Sequence, residues 1–242
     1  AKLSGVIGTE AASNGRASSA IEVSRSVSVL GATVASAITT SSTAAGASAN
    51  ATTIRPRNAS RLDRARPAAT PSQAPREKLK AAGALVHVAA PKERKDKKEI
   101  RGWKNKDWGT GVPVDRELVD ASEGFYDALV LPGGQMNPDS LRGNAEAMEL
   151  IKAFVASGKP VAAICHAPWL LIEANAVRGR KTTSYGSIKT DMINAGADWR
   201  DEPVVADQGI VTSRNPGDLD AFVAKIIEEV EEGKHDRAAL AA

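Results

Sequence analysis

Hydrophobic and polar positions follow a regular order from about residue 75 onward, with glycine or proline between the blocks. Short apolar runs predict buried strands at residues 84–90, 127–131 and 160–164. Amphipathic segments predict helices at residues 76–82, 144–158, 167–175, 189–195 and 218–232, and residues 204–213 fit a hairpin. Apolar strands that alternate with helices predict an α/β fold whose mostly parallel sheet is covered on both faces.

Local signals predict where these elements end. Asn144 is expected to cap the helix that stops at Gly158, and Gly83 and Gly233 are expected to close the first and the last helix. Residues 91–111 are polar, and the mixed charges of the run KERKDKKEIR within them predict a solvated loop.

The first 75 residues have a different composition from the rest of the chain. Roughly half of them are Ala, Ser or Thr, and all nine aromatic residues lie beyond them. Such a segment buries too little apolar surface to offset its conformational entropy, so we predict a low-complexity, disordered or aberrant tail at residues 1–75 and a folded domain at residues 76–235. An organellar transit peptide is the alternative, because the tail is rich in Ser and Arg and poor in acids. Only residues 27–38 of the tail have strand character.

Charge and cysteine content exclude several classes of protein. The net charge is +3, but residues 1–75 carry eight Lys or Arg and three Asp or Glu, so the remainder is at −2 and no folded basic face for nucleic acid is expected. No apolar run approaches the ~18–20 residues of a membrane-spanning helix. A single cysteine excludes an intramolecular disulfide and a cysteine-rich zinc site. We therefore expect a cytoplasmic protein without a metal, a cofactor, a nucleic-acid partner or a membrane partner.

The predicted strand at residues 160–164 runs directly into Cys165 and His166, and a helix starts at once. This is the layout of a nucleophile elbow, in which the sulfur points out of the sheet and the helix start favours the thiolate. The strand at residues 127–131 ends in Pro132, Gly133 and Gly134, which brings free backbone N–H groups to the same edge. We expect the N–H groups of Gly134 and His166 to form an oxyanion hole. A buried structural cysteine is the alternative.

Six stretches of the chain together resemble the ThiJ/PfpI family. They are DALVLPGG at 127–134, NPDSLR at 137–142, GKPVAAICH at 158–166, VRGRKTTSY at 177–185, DMINAGA at 191–197 and VTSRNP at 211–216. The resemblance implies a flavodoxin-like three-layer α/β sandwich of the class I glutamine amidotransferase type. It also implies that Cys165 is the nucleophile and His166 its acid–base partner. In the PfpI-type branch a carboxylate reaches the histidine of a neighbouring subunit, a position that Asp139 matches, so the resemblance further implies a homo-oligomer.

The chain departs from the family at two places. The family's Cys-His-Gly is Cys165-His166-Ala167 here, which adds one methyl group beside the nucleophile. The family also begins with a central strand and a Gly-Phe-Glu-like loop whose glutamate hydrogen-bonds the cysteine. Residues 53–66, at the matching distance, contain neither Phe nor Glu. Either residues 27–38 supply the central strand or the sheet lacks it. We hypothesise that the segment before Pro75 comes from a reading-frame error or a replaced 5′ segment, which translating the other frames of the gene would test.

Two functions of different classes are compatible with these residues. In the first, the Cys165 thiolate attacks a carbonyl carbon and His166 moves the proton, as in the family's peptidases and its glyoxalases or deglycases that act on methylglyoxal adducts. In the second, the chain is a catalytically impaired, oligomeric stress or redox-sensing protein of the same fold. Trp169 is expected to pack close to the site and Tyr185 to face or support it. His235 is expected to be solvated.

Overall fold

The computed structural model describes residues 26–30, 73–94, 96, 98–104 and 107–237. The strands are β1 (Ser26–Leu30), β2 (Leu85–Ala90), β3 (Glu99–Lys104), β4 (Asp107–Pro113), β5 (Arg116–Glu117), β6 (Ala128–Leu131), β7 (Val161–Ile164), β8 (Lys181–Thr182), β9 (Asp198–Trp199), β10 (Val204–Asp207) and β11 (Ile210–Ser213). The helices are α1 (Gln73–Ala81), α2 (Met136–Arg142), α3 (Ala145–Ser157), α4 (Pro168–Glu173), α5 (Lys189–Asn194) and α6 (Leu219–Glu232).

Seven of the described strands form one sheet in the order β10-β11-β7-β6-β1-β2-β5. Neighbouring strands are parallel except for β10 and β11, which form the predicted hairpin. The predicted flavodoxin-like α/β fold is therefore confirmed. None of the described helices combines the length and the apolar character that crossing a membrane requires.

The sheet lies between two layers of helices, each with its own hydrophobic core. Alternate residues of β6 point to opposite faces, as the two-residue period of a strand requires. Leu129 and Leu131 pack with residues of α2, α3, α4 and α5, whereas Ala128 and Val130 pack with residues of α1 and α6. Both faces of β6 and β7 are buried, which explains why the sequences of these two strands are continuously apolar.

The structure confirms both predicted ends of α3. The Asn144 side chain accepts a hydrogen bond from the backbone N–H of Ala147 at 2.8 Å and so caps α3. Gly158 ends the same helix with a φ of +77°, a conformation that favours glycine.

Strand β1 occupies the centre of the sheet. It pairs in parallel with β2 on one side, from Ser26 opposite Leu85 to Leu30 opposite Ala89, and with β6 on the other. Of the two alternatives for the central strand, the structure shows the one in which the amino-terminal segment supplies it. Residues 31–38 of the predicted strand segment lie outside the described residues, and so does nearly all of the predicted tail. The domain boundary near residue 75 stays a prediction.

Two regions differ from the prediction. The predicted loop at residues 91–111 contains the antiparallel hairpin β3–β4. Ile100 and Val112 hold it to the domain, because both are buried and pack with Val88 and Ala90 of β2. The segment after the Gly-Gly turn, for which the sequence pattern predicts no helix, forms α2 with Pro138 in its first turn, where proline is tolerated. Asp139 therefore lies on a helix.

We predict that the folded domain depends on β1. Deleting residues 1–71 should abolish the cooperative thermal unfolding transition, because the facing edges of β2 and β6 would keep buried backbone groups without partners. Deleting only residues 1–24, which retains β1, is the matched control and should unfold close to the full-length chain. Circular dichroism at 222 nm during heating measures both. Equal melting temperatures for the two deletions would contradict the prediction.

Candidate active site

Cys165 sits on the sharp turn that leads from β7 into α4. Its φ is +66°, in the left-handed region that residues other than glycine rarely adopt. The turn is held from both sides, since the Cys165 N–H donates to the carbonyl oxygen of Ser213 and its own carbonyl accepts from the Tyr185 N–H, both at 2.9 Å. Strain of this kind persists where the surrounding structure enforces it, and it is concentrated at functional sites. The predicted elbow geometry is therefore present.

The loop after β6 comes into direct contact with this turn. A Cβ on Gly133 would lie 2.5 Å from the Cβ of Cys165 and 2.8 Å from the carbonyl oxygen of Ile164, so only glycine fits there. Gly134 has open space around it but a φ of +81°, so its requirement is conformational. Glycine is thus required at 133 because the two backbone segments approach closely, and at 134 because the chain adopts a left-handed conformation there.

The backbone N–H groups of Gly134 and His166 lie close enough to the Cys165 sulfur to lower the pKa of its thiol. The structure therefore brings together the two backbone groups predicted to form an oxyanion hole. Burial raises the pKa of the Cys165 thiol, and these two donors lower it only in part. The expectation that the turn favours the thiolate is wrong in its net direction, because desolvation outweighs both amide hydrogen bonds.

The His166 side chain lies beside the sulfur. Its Nδ1 is 3.2 Å from Sγ of Cys165, and its Nε2 is 3.1 Å from Oγ of Ser187. The ring stacks on Tyr185 at a centroid distance of 4.8 Å and an angle of 25°, and it meets the Trp169 ring edge-on at 5.3 Å. Burial lowers the pKa of His166, so the imidazole is neutral near pH 7.

Ser187 is a site residue that the sequence analysis missed. It lies in the short 3-10 turn at Gly186–Ile188, two residues after the stretch that resembles the family. The available signal was its position, because a polar loop that follows Tyr185 reaches the same edge of the sheet as the Cys165 turn.

Trp169 links the imidazole to a neighbouring cleft of about 390 Å³. Its indole N–H donates to the Asp191 carboxylate at 2.8 Å, and the Arg142 guanidinium lies 5.8 Å from its ring centroid. The cleft is lined by Arg142, Trp169, Ile172, Asp191, Asn194 and Ala195. Trp169 therefore contacts the imidazole of His166 and also forms part of the wall of the cleft.

Asp139 is exposed on α2, and within the described chain its carboxylate makes no hydrogen bond to His166. The structure thus brings together Gly134, Cys165 and His166 but not Asp139, whose predicted role belongs to a neighbouring subunit. No carboxylate among the described residues hydrogen-bonds the Cys165 sulfur either. A counterpart of the family's glutamate is accordingly not present in the described part of the site.

The model of the DJ-1/PfpI family matches residues 72–229, more than half of the chain. The chain belongs to the DJ-1/PfpI family. Within the family it is 46% identical over 120 residues to deglycase PfpI of Pyrococcus furiosus. These aligned residues make up 50% of this chain and 72% of that protein. It is 42% identical over 149 residues to protein/nucleic acid deglycase 2 of Escherichia coli, covering 61% and 83% of the two chains.

A solved structure shares both the fold and the sequence of this DJ-1/PfpI domain. A two-domain protein of Anabaena variabilis with DJ-1/ThiJ/PfpI-like and ferritin-like domains superposes with a TM-score of 0.59 at 36% identity. The match covers 66% of this chain and 44% of the other.

We predict that alkylation of the Cys165 thiol reaches half of its maximal rate at a higher pH than alkylation of an ordinary thiol. Only the thiolate reacts with iodoacetamide, so a raised pKa moves the midpoint of the rate against pH above the usual 9.0 of a thiol. Because the chain has one cysteine, alkylation measured by mass spectrometry reports Cys165 alone. The same chain in guanidinium chloride is the control and should have the lower midpoint. A folded-state midpoint at or below that of the unfolded chain would overturn this assignment.

Proposed function

We propose that this chain is a cysteine-dependent hydrolase that acts on small carbonyl substrates, in the class of glyoxalases and deglycases that process methylglyoxal adducts. One observation carries the proposal: the Cys165 sulfur lies on a strained turn between two backbone N–H donors and a neutral imidazole at 3.2 Å. Such a group of residues supplies a nucleophile, a base and a site for a developing oxyanion.

The first chemical step follows from the positions of these groups. His166 Nδ1 accepts the thiol proton as the sulfur forms a bond to the carbonyl carbon, and the electron pair of the C=O bond moves to the oxygen. The N–H groups of Gly134 and His166 are placed to donate to that oxygen. The carbonyl carbon that is attacked is the aldehyde carbon freed when the C–N bond of the adduct breaks and the carbinol proton passes to the amine. The imidazolium returns its proton to the oxyanion, so a hemithioacetal forms and His166 is neutral again. A proton shift between the two carbons of the hemithioacetal gives a lactoyl thioester, which water cleaves to lactate and the free thiol.

The names of the relatives support the deglycase class. The protein of Pyrococcus furiosus is named a deglycase, and that of Escherichia coli is named a protein and nucleic acid deglycase. The site itself points in the same direction, since the half-buried sulfur lies beside a ring stack of His166, Tyr185 and Trp169. A compact dicarbonyl adduct requires less open space there than an extended peptide, and peptide cleavage is therefore an outcome that the test distinguishes.

A second function is favoured by the electrostatics of the sulfur. A thiol whose pKa is raised by burial, with no carboxylate bonded to it among the described residues, is a weak nucleophile near pH 7. These features support the alternative of a catalytically impaired stress or redox-sensing protein of the same fold. The two functions differ in whether the wild-type chain turns over substrate at all.

We predict that Cys165→Ala removes hydrolysis of a methylglyoxal adduct of an N-acetylated amino acid, down to the uncatalysed rate. The substitution should change the melting temperature by only a few degrees, because a small side chain at a partly exposed turn leaves no large cavity. Lactate and amine release measure turnover, with a fluorogenic peptide assayed in parallel. Adduct hydrolysis by Cys165→Ala would contradict the proposal. Cleavage of the peptide alone would select the peptidase, and an inactive wild type would select the second function.

We also propose that Asp139 orients His166 of a neighbouring copy in a homo-oligomer. General acid–base catalysis contributes roughly 10²–10⁴-fold, so Asp139→Asn should lower kcat toward the bottom of that range. Dilution below the dissociation concentration should lower wild-type activity similarly. Ser187→Ala, which removes the contact within one chain, is the comparison and should cost only about two- to tenfold at every concentration. Full activity of Asp139→Asn would remove this residue from the site.

A further inference from the structure

The described C-terminal residues 234–237 cross the amino-terminal ends of β7 and β11, at the edge of the sheet opposite Cys165. The His235 N–H donates to the carbonyl oxygen of Gly158 at 2.9 Å. The Arg237 guanidinium donates four hydrogen bonds of 2.6–3.2 Å, to the carbonyl oxygens of Phe154, Val155, Lys159 and Gln208. This segment is therefore attached to the body of the domain by its backbone and by the half-buried Arg237 guanidinium.

These contacts bring the His235 side chain to a fixed place beside α6. A Cβ on Gly209 would lie 2.5 Å from Cδ2 of His235, so the imidazole packs directly on the chain there. Only 18% of the side chain is exposed, and the expectation of a solvated His235 is wrong. The reason is long-range, because the turn at Gly209 and the helix α6 both lie against the ring.

Glu229 faces this imidazole from the buried side of α6. The residue is 6% exposed, and its Oε2 lies 2.9 Å from Nε2 of His235. The two atoms are at ion-pair distance, but neither makes a well-formed hydrogen bond within the described residues. A buried carboxylate without a well-formed hydrogen bond costs free energy.

Glu232 completes a group of three ligand atoms. It lies three residues beyond Glu229, on the same face of α6, and one ligand atom from each of Glu229, Glu232 and His235 lies within 4.8 Å of the others. Atoms bound ~2.1 Å from one ion at the tetrahedral angle are about 3.4 Å apart. Glu232 is exposed and can close the remaining distance, while Glu229 and His235 are already held in place.

The nearby cations are engaged elsewhere. Lys225 pairs with Glu228 at 2.6 Å, and the N–H groups of Arg237 bind the four carbonyl oxygens above. Neither cation makes a hydrogen bond or ion pair with the Glu229 carboxylate in the described structure, which leaves Glu229 and His235 facing each other with their hydrogen-bonding capacity unused.

We propose that Glu229, Glu232 and His235 bind a zinc ion that fastens the C-terminal segment to α6. One imidazole and two carboxylates suit Zn²⁺, whereas Ca²⁺ and Mg²⁺ prefer oxygen ligands alone. The ion gives both unpartnered buried atoms a ligand and leaves one coordination position for water. The site lies at the opposite edge of the sheet from the thiol, so its role is structural and separate from the proposed hydrolysis.

The test is a zinc titration by isothermal calorimetry in the Cys165→Ala chain, because the thiol and His166 would otherwise bind zinc as well. We expect one ion per chain and a melting temperature that rises with zinc concentration, since an ion that binds only the folded state stabilises it. His235→Ala should abolish this binding. Glu232→Gln should weaken it at least tenfold, a loss that second-shell changes alone can reach.

Glu228→Gln is the matched control, because it removes an exposed carboxylate of the same helix that is not in the group. It should bind zinc as the Cys165→Ala parent does. Glu232→Gln keeps the test decisive if His235→Ala fails to fold, since an exposed side chain is replaced. Absence of binding in the Cys165→Ala chain, or equal affinity for Glu232→Gln and Glu228→Gln, would overturn the proposal. A plain ion pair between Glu229 and His235, without a zinc site, would give the first of these results.

Discussion

Two backbone segments, the loop at residues 132–134 and the turn at Cys165, meet at a distance that only glycine permits. This contact places the N–H of Gly134 and the N–H of His166 on one sulfur atom. The left-handed turn costs of order 1–3 kcal/mol, which the parallel pairing of β7 and the bonds to Ser213 and Tyr185 must offset. A methyl group on Gly133 would push the turn away from its donors, so the chemistry of the site depends on a position that carries no side chain.

Burial favours the uncharged form of both the Cys165 thiol and the His166 imidazole. It raises the pKa of Cys165 and lowers that of His166, so the resting pair is neutral and no ion pair forms in advance. In the proposed reaction, charge develops only as a carbonyl substrate arrives and the proton moves from sulfur to nitrogen. A neutral resting pair resists adventitious oxidation, since the thiolate is the form that oxidants attack. Because no ionic attraction holds the imidazole in a neutral pair, His166 depends more strongly on another group to orient its ring.

The parts of the fold and site that follow from neighbouring residues could be predicted from the sequence. Apolar runs located β2, β6 and β7, and the strand-to-helix change at Cys165 located the elbow, because each signal lies within about ten residues. The hairpin β3–β4 was missed because only Ile100 and Val112 anchor it among charged residues. Ser187 and the pair of Glu229 and His235 were missed for another reason: their partners lie on other elements, and only the folded topology brings them together.

Strand β7 runs from the edge of the sheet where the C-terminal segment is attached to the edge that carries Cys165. Its amino-terminal side follows Gly158, where His235 and Arg237 attach the C-terminal segment, and its carboxyl end delivers Cys165. With ~3.3 Å per residue, the four residues of β7 keep these places at least about 10 Å apart. The attachments at the amino-terminal edge hold β7 and β11 in register, and that register supplies the Ser213 carbonyl that binds the Cys165 N–H. The strained turn at one edge is thus supported by the hydrogen bonds that His235 and Arg237 make at the other.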